Sequence, residues 1–342
     1  MLSIVGPHIT REDTNFRKLI ASNERLAITL RFLASMESQQ SLSYSYRVGR
    51  STISNIVRET WKVIYDGLAP TYLKAPSLAD DWLAISKEFE EVWNMPHVIG
   101  AIDGKHVQIQ CPKRSGTLYH NYKGFFSLVI MAVCDARYCF SLVDVGHYGS
   151  NKIGRMFSEG EMNVPAPSTV NGCDFDPLPY YMVGDEIFPL KTWLMRPYPG
   201  RLTEEQRIFN YRLSRARRVI ENTFGILVAR WRIFHTPIIS SIENAERYVR
   251  AAITLHNYLR LSENARYCPN GFTDSESSSG NVVLGEWRRE SCSSSKGCLM
   301  PLNNARGSRY REDAVNMREC LKAYLNSDLG EVEWQLDYVR RT

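Results

Sequence analysis

VIGAIDGKHVQI, residues 98–109, is the stretch on which the fold turns. It is rich in Val and Ile, short, and bounded by turn-forming residues, so it reads as a strand. Residues two apart in a strand point the same way, which puts Ile99, Ala101, Asp103, Val107 and Ile109 on one face. YYMVGDEIF, residues 180–188, repeats the pattern with Tyr181, Val183, Asp185 and Ile187. Each aspartate interrupts an apolar face, and a buried carboxylate without a partner is costly. It calls for a cation, an arginine or a proton. Lys105 shares the parity of Asp103, so a salt bridge explains one of the two aspartates more naturally than both.

Working outward, FFSLVIMAVCDA (125–136) and YCFSLVDVGHYG (138–149) read as further strands, joined by connections short enough for antiparallel neighbours. Helical periodicity follows from Thr203 to about Phe234 and again over Ile242–Leu261. Strands followed by helices predict a mixed α/β domain over residues 81–262. Upstream, residues 1–80 read as all-helical, with Leu26, Leu30 and Leu33 at helical spacing. SLSYSYRVGRSTISNIVRETWKVIYDGL (41–68) then gives a short helix, a tight turn at Val48-Gly49, a cap at Ser51 and a longer helix. That is the pattern of a helix-turn-helix, with Arg50, Ser51, Thr52, Ser54 and Asn55 at the exposed start of the second helix, where base edges are read. An ordinary helical bundle turning at a glycine accounts for the same pattern. Residues 263–308 are rich in Ser, Gly and Asn and read as a loop or linker. Residues 309–342 read as a C-terminal helix packing on the α/β domain, with Val315, Met317, Leu321 and Leu325 on its apolar side.

Composition bounds the function only loosely. The 342 residues suit about two domains, and 44% hydrophobic with 23% charged residues excludes wholesale disorder. No apolar run approaches the ~20 residues of a membrane span, and the start lacks the pattern of a signal peptide. The eight cysteines form no C-x-x-C, so a reducing, intracellular setting is expected. Cys134, Cys139 and His147 could form a loose metal set, but the two cysteines lie in apolar runs that favour buried thiols.

A third carboxylate lies on the helix RLSRARRVIENTFGILVARW (212–231), where Glu221 sits beside the apolar stripe of Ile220, Phe224 and Leu227. A surface ion pair with Arg218, one turn earlier, is its plain explanation. Carboxylates on two strands and one helix can also converge on divalent metal, which hard oxygen ligands favour. Two metals ~3.5–4 Å apart would clamp the attacking and leaving oxygens of a phosphodiester. The spacing adds weight, because 35 residues separate Asp185 from Glu221. This is the Asp-Asp-35-Glu spacing of nucleases with an RNase H-like fold.

At these residues the sequence resembles the Harbinger-type transposases and the nucleases derived from them. The resemblance is carried by RFLASMESQQSLSYSYRVGRSTISNIV, GAIDGKHV, NYKGFFSLVIMAVCDA, VDVGHYGS, GDEIFPLKTWLMRPYPG, FNYRLSRARRVIENTFGILVARWRIF and AAITLHNYL, in that order. It implies an RNase H-like mixed sheet flanked by helices, and a ligand triad of Asp103, Asp185 and Glu221 for Mg²⁺ or Mn²⁺. It further implies DNA cleavage at transposon ends, a nuclear location and a separate Myb/SANT-like DNA-binding partner. Two departures stand out. Where the family carries a further acidic candidate after VDVG-x-YG, this chain has Ile153, flanked by Lys152 and Arg155. It also opens at MLSIVGPHI, where relatives usually have residues upstream, as expected of a shortened copy.

The basic charge has an address. Residues 201–235 carry eight arginines against three glutamates, a balance of +5 that equals the formal net charge of the whole chain. Arg212, Arg215, Arg217 and Arg218 are expected to lie along DNA phosphates beside the metal site. Pairing with acidic groups elsewhere in the chain is the alternative. The sequence therefore predicts a metal-dependent DNA endonuclease, with a catalytically silent nuclear DNA-binding protein as the second reading, motivated by Ile153. A phosphohydrolase for small substrates is a third.

Overall fold

The computed structural model describes residues 1–12, 19–35, 37–146, 152–170, 176–277, 280–292, 298–302 and 311–341. Five helices come first: α1 (Leu2–Ile9), α2 (Ser22–Ser35), α3 (Gln39–Ser45), α4 (Arg50–Tyr72) and α5 (Ala79–Trp93). Strands β1 (Val98–Gln108), β2 (Ser127–Cys134) and β3 (Phe140–Gly146) follow, then α6 (Lys152–Ser158), β4 (Tyr181–Val183) and β5 (Leu194–Met195). The long α7 (Glu204–Arg230) leads through a 3₁₀ turn at Arg232–His235 into α8 (Ile242–Ser262). Beyond it come α9 (Asn264–Tyr267), β6 (Ser275–Glu276), β7 (Val282–Val283), α10 (Trp287–Cys292), β8 (Leu299–Pro301), α11 (Glu312–Leu325) and α12 (Gln335–Arg341).

The main sheet runs in the order β3-β2-β1-β4-β5. β1, β2 and β3 are antiparallel neighbours, with Asp103 opposite Ala132. β4 lies parallel to the first half of β1, and β5 parallel to β4. β8 pairs antiparallel with the second half of β1, Lys105 facing Pro301. β1 is therefore flanked along most of its length, and its near-continuous apolar run follows from burial on both faces.

One face of the sheet, with Ala101, Val107, Ile130, Ala132, Tyr181 and Val183, packs in the same apolar cluster as Ala216, Val219, Ile220, Phe224 and Leu227 of α7. The other face, with Ile102, Val133, Leu142 and Met182, gathers Trp82 of α5 and Ile153 of α6. Ile99 belongs to this second cluster rather than to the face of Asp103. The cause is a register shift between Val98 and Gly100, which moves the preceding residue to the opposite side.

At the N-terminal side, α3 and α4 are joined by a tight turn in which Arg47 takes a left-handed conformation. Gly49, not Ser51, stands at the N-cap of α4, and its carbonyl accepts the Ile53 N–H at 3.0 Å. The stripe Ile53, Ile56, Val57, Ile64 and Leu68 packs in the same apolar cluster as the sheet, with α8 as the bridge. The core therefore draws no line at residue 80, where two units were expected to meet.

The described parts of 263–308 are built into the domain rather than strung outside it. Tyr267, Phe272 and Cys298 are buried, and Asp274, 1% exposed, holds Arg288 in an ion pair. Abundant serine conceals these few anchors. α11 and α12 lie along α7, with Met317, Leu321 and Leu325 in the main core.

Candidate active site

Asp103 is fixed from the middle of β1. Its Oδ1 accepts the Gly104 N–H at 2.7 Å, and its Oδ2 accepts Lys105 Nζ at 2.6 Å. Asp185 follows β4 after Gly184, where an added Cβ would stand 2.9 Å from Phe188 and 3.2 Å from Ile102. The Asp185 carboxylate accepts the Ile187 N–H at 3.0 Å, closing a turn on itself. Burial lifts its pKa above the ordinary range, and the negative charge of Asp103 lifts it further. Arg217, Lys105 and the Ile187 N–H act the other way. Asp103 in the middle of β1 and Asp185 just past the neighbouring parallel strand β4 thus stand so that the charge of Asp103 acts on Asp185.

Glu221 comes from α7, whose start is fixed by a reciprocal cap: Gln206 N–H donates to Thr203 Oγ1 and Thr203 N–H to Gln206 Oε1. Glu204 and Glu205 in the first turn suit the helix dipole. Glu221 and Lys105 line one cavity of 330 Å³ together with Phe224, Gly225, Val228, Trp287, Arg288 and Leu299. The partner of Glu221 is Arg217 at 2.6 Å, an i,i+4 pair, and not Arg218. Among the described residues, no three His, Cys, Asp or Glu side chains converge closely enough to hold a metal as they stand. Cations of the chain sit on two of the three carboxylates instead.

The arginine expectation needs correction. Arg212, Arg215 and Arg218 are buried, so they do not form a phosphate-facing row. Arg215 Nε and Arg218 Nη1 donate to the two oxygens of Glu276 at 2.6 and 2.8 Å. Arg212 donates to the carbonyls of Gly330 and Asn94 and to Gln335 Oε1, and Arg215 also reaches Asn94 Oδ1. Asn94 is the left-handed C-cap of α5, four residues before β1. These arginines fix the turn that feeds β1 against α7. Arg217 alone of the four stays at the candidate site.

Arg50, Ser51 and Asn55 are exposed and Thr52 is half-buried at the start of α4, with Asn55 Oδ1 accepting Arg58 at 2.9 Å. Ile153 is 4% exposed in the apolar cluster on the far side of the sheet, while Lys152 and Arg155 point to solvent. Cys134 and Cys139 are buried free thiols, and His147 lies outside the described residues. Trp287, Arg288 and Leu299 were not foreseen as cavity walls. A tryptophan beside two arginines in a serine-rich run was the available signal. Trp287 lies against Gly225, where a Cβ would stand 2.4 Å from the indole, and donates to Asn222 Oδ1 at 3.0 Å.

Residues 102–257, which contain all three carboxylates, match the family model of the DDE superfamily endonucleases. The chain carries a DDE superfamily endonuclease domain. It is 30% identical over 274 residues to an Arabidopsis thaliana protein named ALP1-like, covering 75% of this chain and 66% of that one. Similarity to the candidate nuclease HARBI1 of Homo sapiens is 25% over 260 residues, covering 75% and 72%. The Arabidopsis thaliana protein antagonist of like heterochromatin protein 1 is 26% identical over 230 residues, covering 63% and 56%. The chain thus spans about two thirds of the length of its ALP1-like relative. These relatives agree with the Harbinger-type resemblance of the sequence. No solved structure matches the chain.

Proposed function

We propose that the protein is a metal-dependent DNA endonuclease of transposon origin, with Asp103, Asp185 and Glu221 as its carboxylate set. The observation that carries this is that Asp103 on β1 and Asp185 just past β4 stand on neighbouring strands of the sheet that packs against α7, the helix of Glu221. The sheet order, three antiparallel strands with two parallel ones added beside β1, supports the reading of an RNase H-like fold.

By donor type the set suits a hard divalent cation, although the three do not meet as they stand: two carboxylates on neighbouring strands, the pKa of Asp185 raised by burial and then by the charge of Asp103, and a third on the opposing helix. Mg²⁺ or Mn²⁺ bound there would supply Lewis-acid stabilisation of phosphoryl oxygens and an activated water. Asp103 and Asp185 would hold the cation from the sheet, and Glu221 from α7. The apolar walls given by Phe224 and Leu299 limit water around a bound phosphodiester. The start of α4, with Arg50, Ser51, Thr52 and Asn55, would contact DNA as the second helix of a helix-turn-helix. A nuclear location and a Myb/SANT-like partner belong to the same reading. The name of the heterochromatin-antagonist relative fits a protein that works with others.

Nicking of DNA bearing the element's own ends, with Mn²⁺ and against an Asp103→Ala control, tests the proposal. Equal cleavage by the two proteins would sink it. A second reading, a silent DNA-binding protein, is favoured by one observation: Lys105 and Arg217 pair with Asp103 and Glu221. Mn²⁺ binding that is lost in Asp185→Asn counts against that reading.

A further inference from the structure

The cation on Asp103 differs from the other cations near the site. Arg288 is anchored to Asp274, a fully buried carboxylate outside the triad. Arg217 is tied to Glu221 one turn along its own helix. Lys105 instead reaches back along its own strand to a carboxylate that a metal would claim, with Nζ 2.6 Å from Asp103 Oδ2. Its side chain is 19% exposed and lines the 330 Å³ cavity with Glu221 and Arg288, its ammonium 5.8 Å from the centre of the Phe224 ring.

We propose that Lys105 is a displaceable counter-ion: it holds Asp103 while no metal is present, and is released into the cavity to neutralise a DNA phosphate oxygen once a divalent cation takes that carboxylate. The inference rests on the metal-dependent reading above. In this structure the Gly104 N–H is on one Asp103 oxygen and Lys105 on the other. A divalent cation on that carboxylate repels an ammonium at hydrogen-bond distance, which weakens the ion pair and favours release of Lys105. A lysine suits the exchange because its compact charge rides on four flexible carbons, which can stay over Phe224 while the head swings. The cavity then gains one unpaired positive charge only when metal is in place. Recognition of the phosphodiester is thereby coupled to metal loading, and the ligand class is a nucleic-acid backbone phosphate.

The full chain is titrated with Mn²⁺ by calorimetry as wild type, Lys105→Met, Lys105→Arg and Asp185→Asn. Binding to a short duplex is then measured across a salt series with and without Ca²⁺. Lys105→Met is expected to bind Mn²⁺ about tenfold more tightly, since no ion pair has to open. Its salt slope on DNA is expected to fall by ~0.9, one phosphate contact, only when Ca²⁺ is present. Lys105→Arg, whose fork grips a carboxylate at two points, is expected to weaken Mn²⁺ binding severalfold and to keep the slope. It also decides the matter if Lys105→Met does not fold. Unchanged Mn²⁺ affinity in both variants, or the same loss of slope with and without Ca²⁺, overturns the counter-ion role while leaving the metal site standing. Wild type that binds no Mn²⁺, or binds it equally after Asp185→Asn, overturns the metal-dependent reading and the counter-ion with it.

Discussion

The two sides of α7 carry the same residue type to opposite ends. On the side toward Asn94 and Glu276, Arg212, Arg215 and Arg218 are 1%, 6% and 7% exposed and hydrogen-bond to Glu276, Asn94, Gly330 and Gln335. On the side toward the cavity, Arg217 is a quarter exposed and, among the described residues, forms its ion pair with Glu221. Residues 217 and 218 are adjacent in sequence and about 100° apart around the helix. A cluster of like charges in a helix is therefore a statement about several faces at once. Here most of it is internal scaffolding.

The largest effect expected from breaking this contrast is at Glu276. Glu276→Gln leaves two buried guanidinium groups poorly matched and is expected to destabilise the fold by about 3–5 kcal/mol in urea unfolding. A change below 1 kcal/mol would mean the buried side is not scaffolding. Next is Gly225→Ala, which drives a methyl into the Trp287 indole. Overpacking of about 1–3 kcal/mol is expected, along with altered Trp287 fluorescence, as the cavity wall shifts. A third test uses pH. Asp185 titrates above its ordinary value in the folded chain, so its contribution to stability is present below the unfolded pKa of ~3.9 and is lost as pH rises through the folded value. Asp185→Asn is therefore expected to gain on wild type in unfolding free energy as pH rises from about 4 through that folded value. A constant difference across that range would refute the burial argument. Smallest is Arg217→Gln, expected to change stability by at most ~0.5 kcal/mol, as befits a partly exposed i,i+4 pair. A loss as large as that from Glu276→Gln would erase the contrast altogether.

The sheet was legible because its strands are short β-branched runs with turn residues between them, and because Asp103 and Asp185 interrupt apolar faces. Helix α7 was legible from Ile220, Phe224 and Leu227. What escaped was set by distance along the chain. Glu276 lies roughly 60 residues from its two arginines, inside a serine-rich run whose composition hides it. Ile99 was assigned to the wrong face because parity counting assumes an unbroken pleat, and the shift at Val98/Gly100 breaks it. Ser51 lost the cap because a glycine just before it leaves room for the helix to begin earlier. Ile153 stands out only against a family pattern, and its burial in the second cluster explains why an apolar residue is kept there.

The pairing of β8 with β1 also orders events in time. Lys105 and Pro301 face each other across about 200 residues of chain. A ribosome adding about 5–20 residues per second needs some 10–40 s to pass from one to the other. For most of that interval Asp103 and Lys105 are already made, while Trp287, Arg288 and Leu299 have yet to be added. The cavity thus has no far wall until residue 299 has been made. A nascent chain presents the strand but not the enclosure, so the candidate site is completed only once this distant segment has been added.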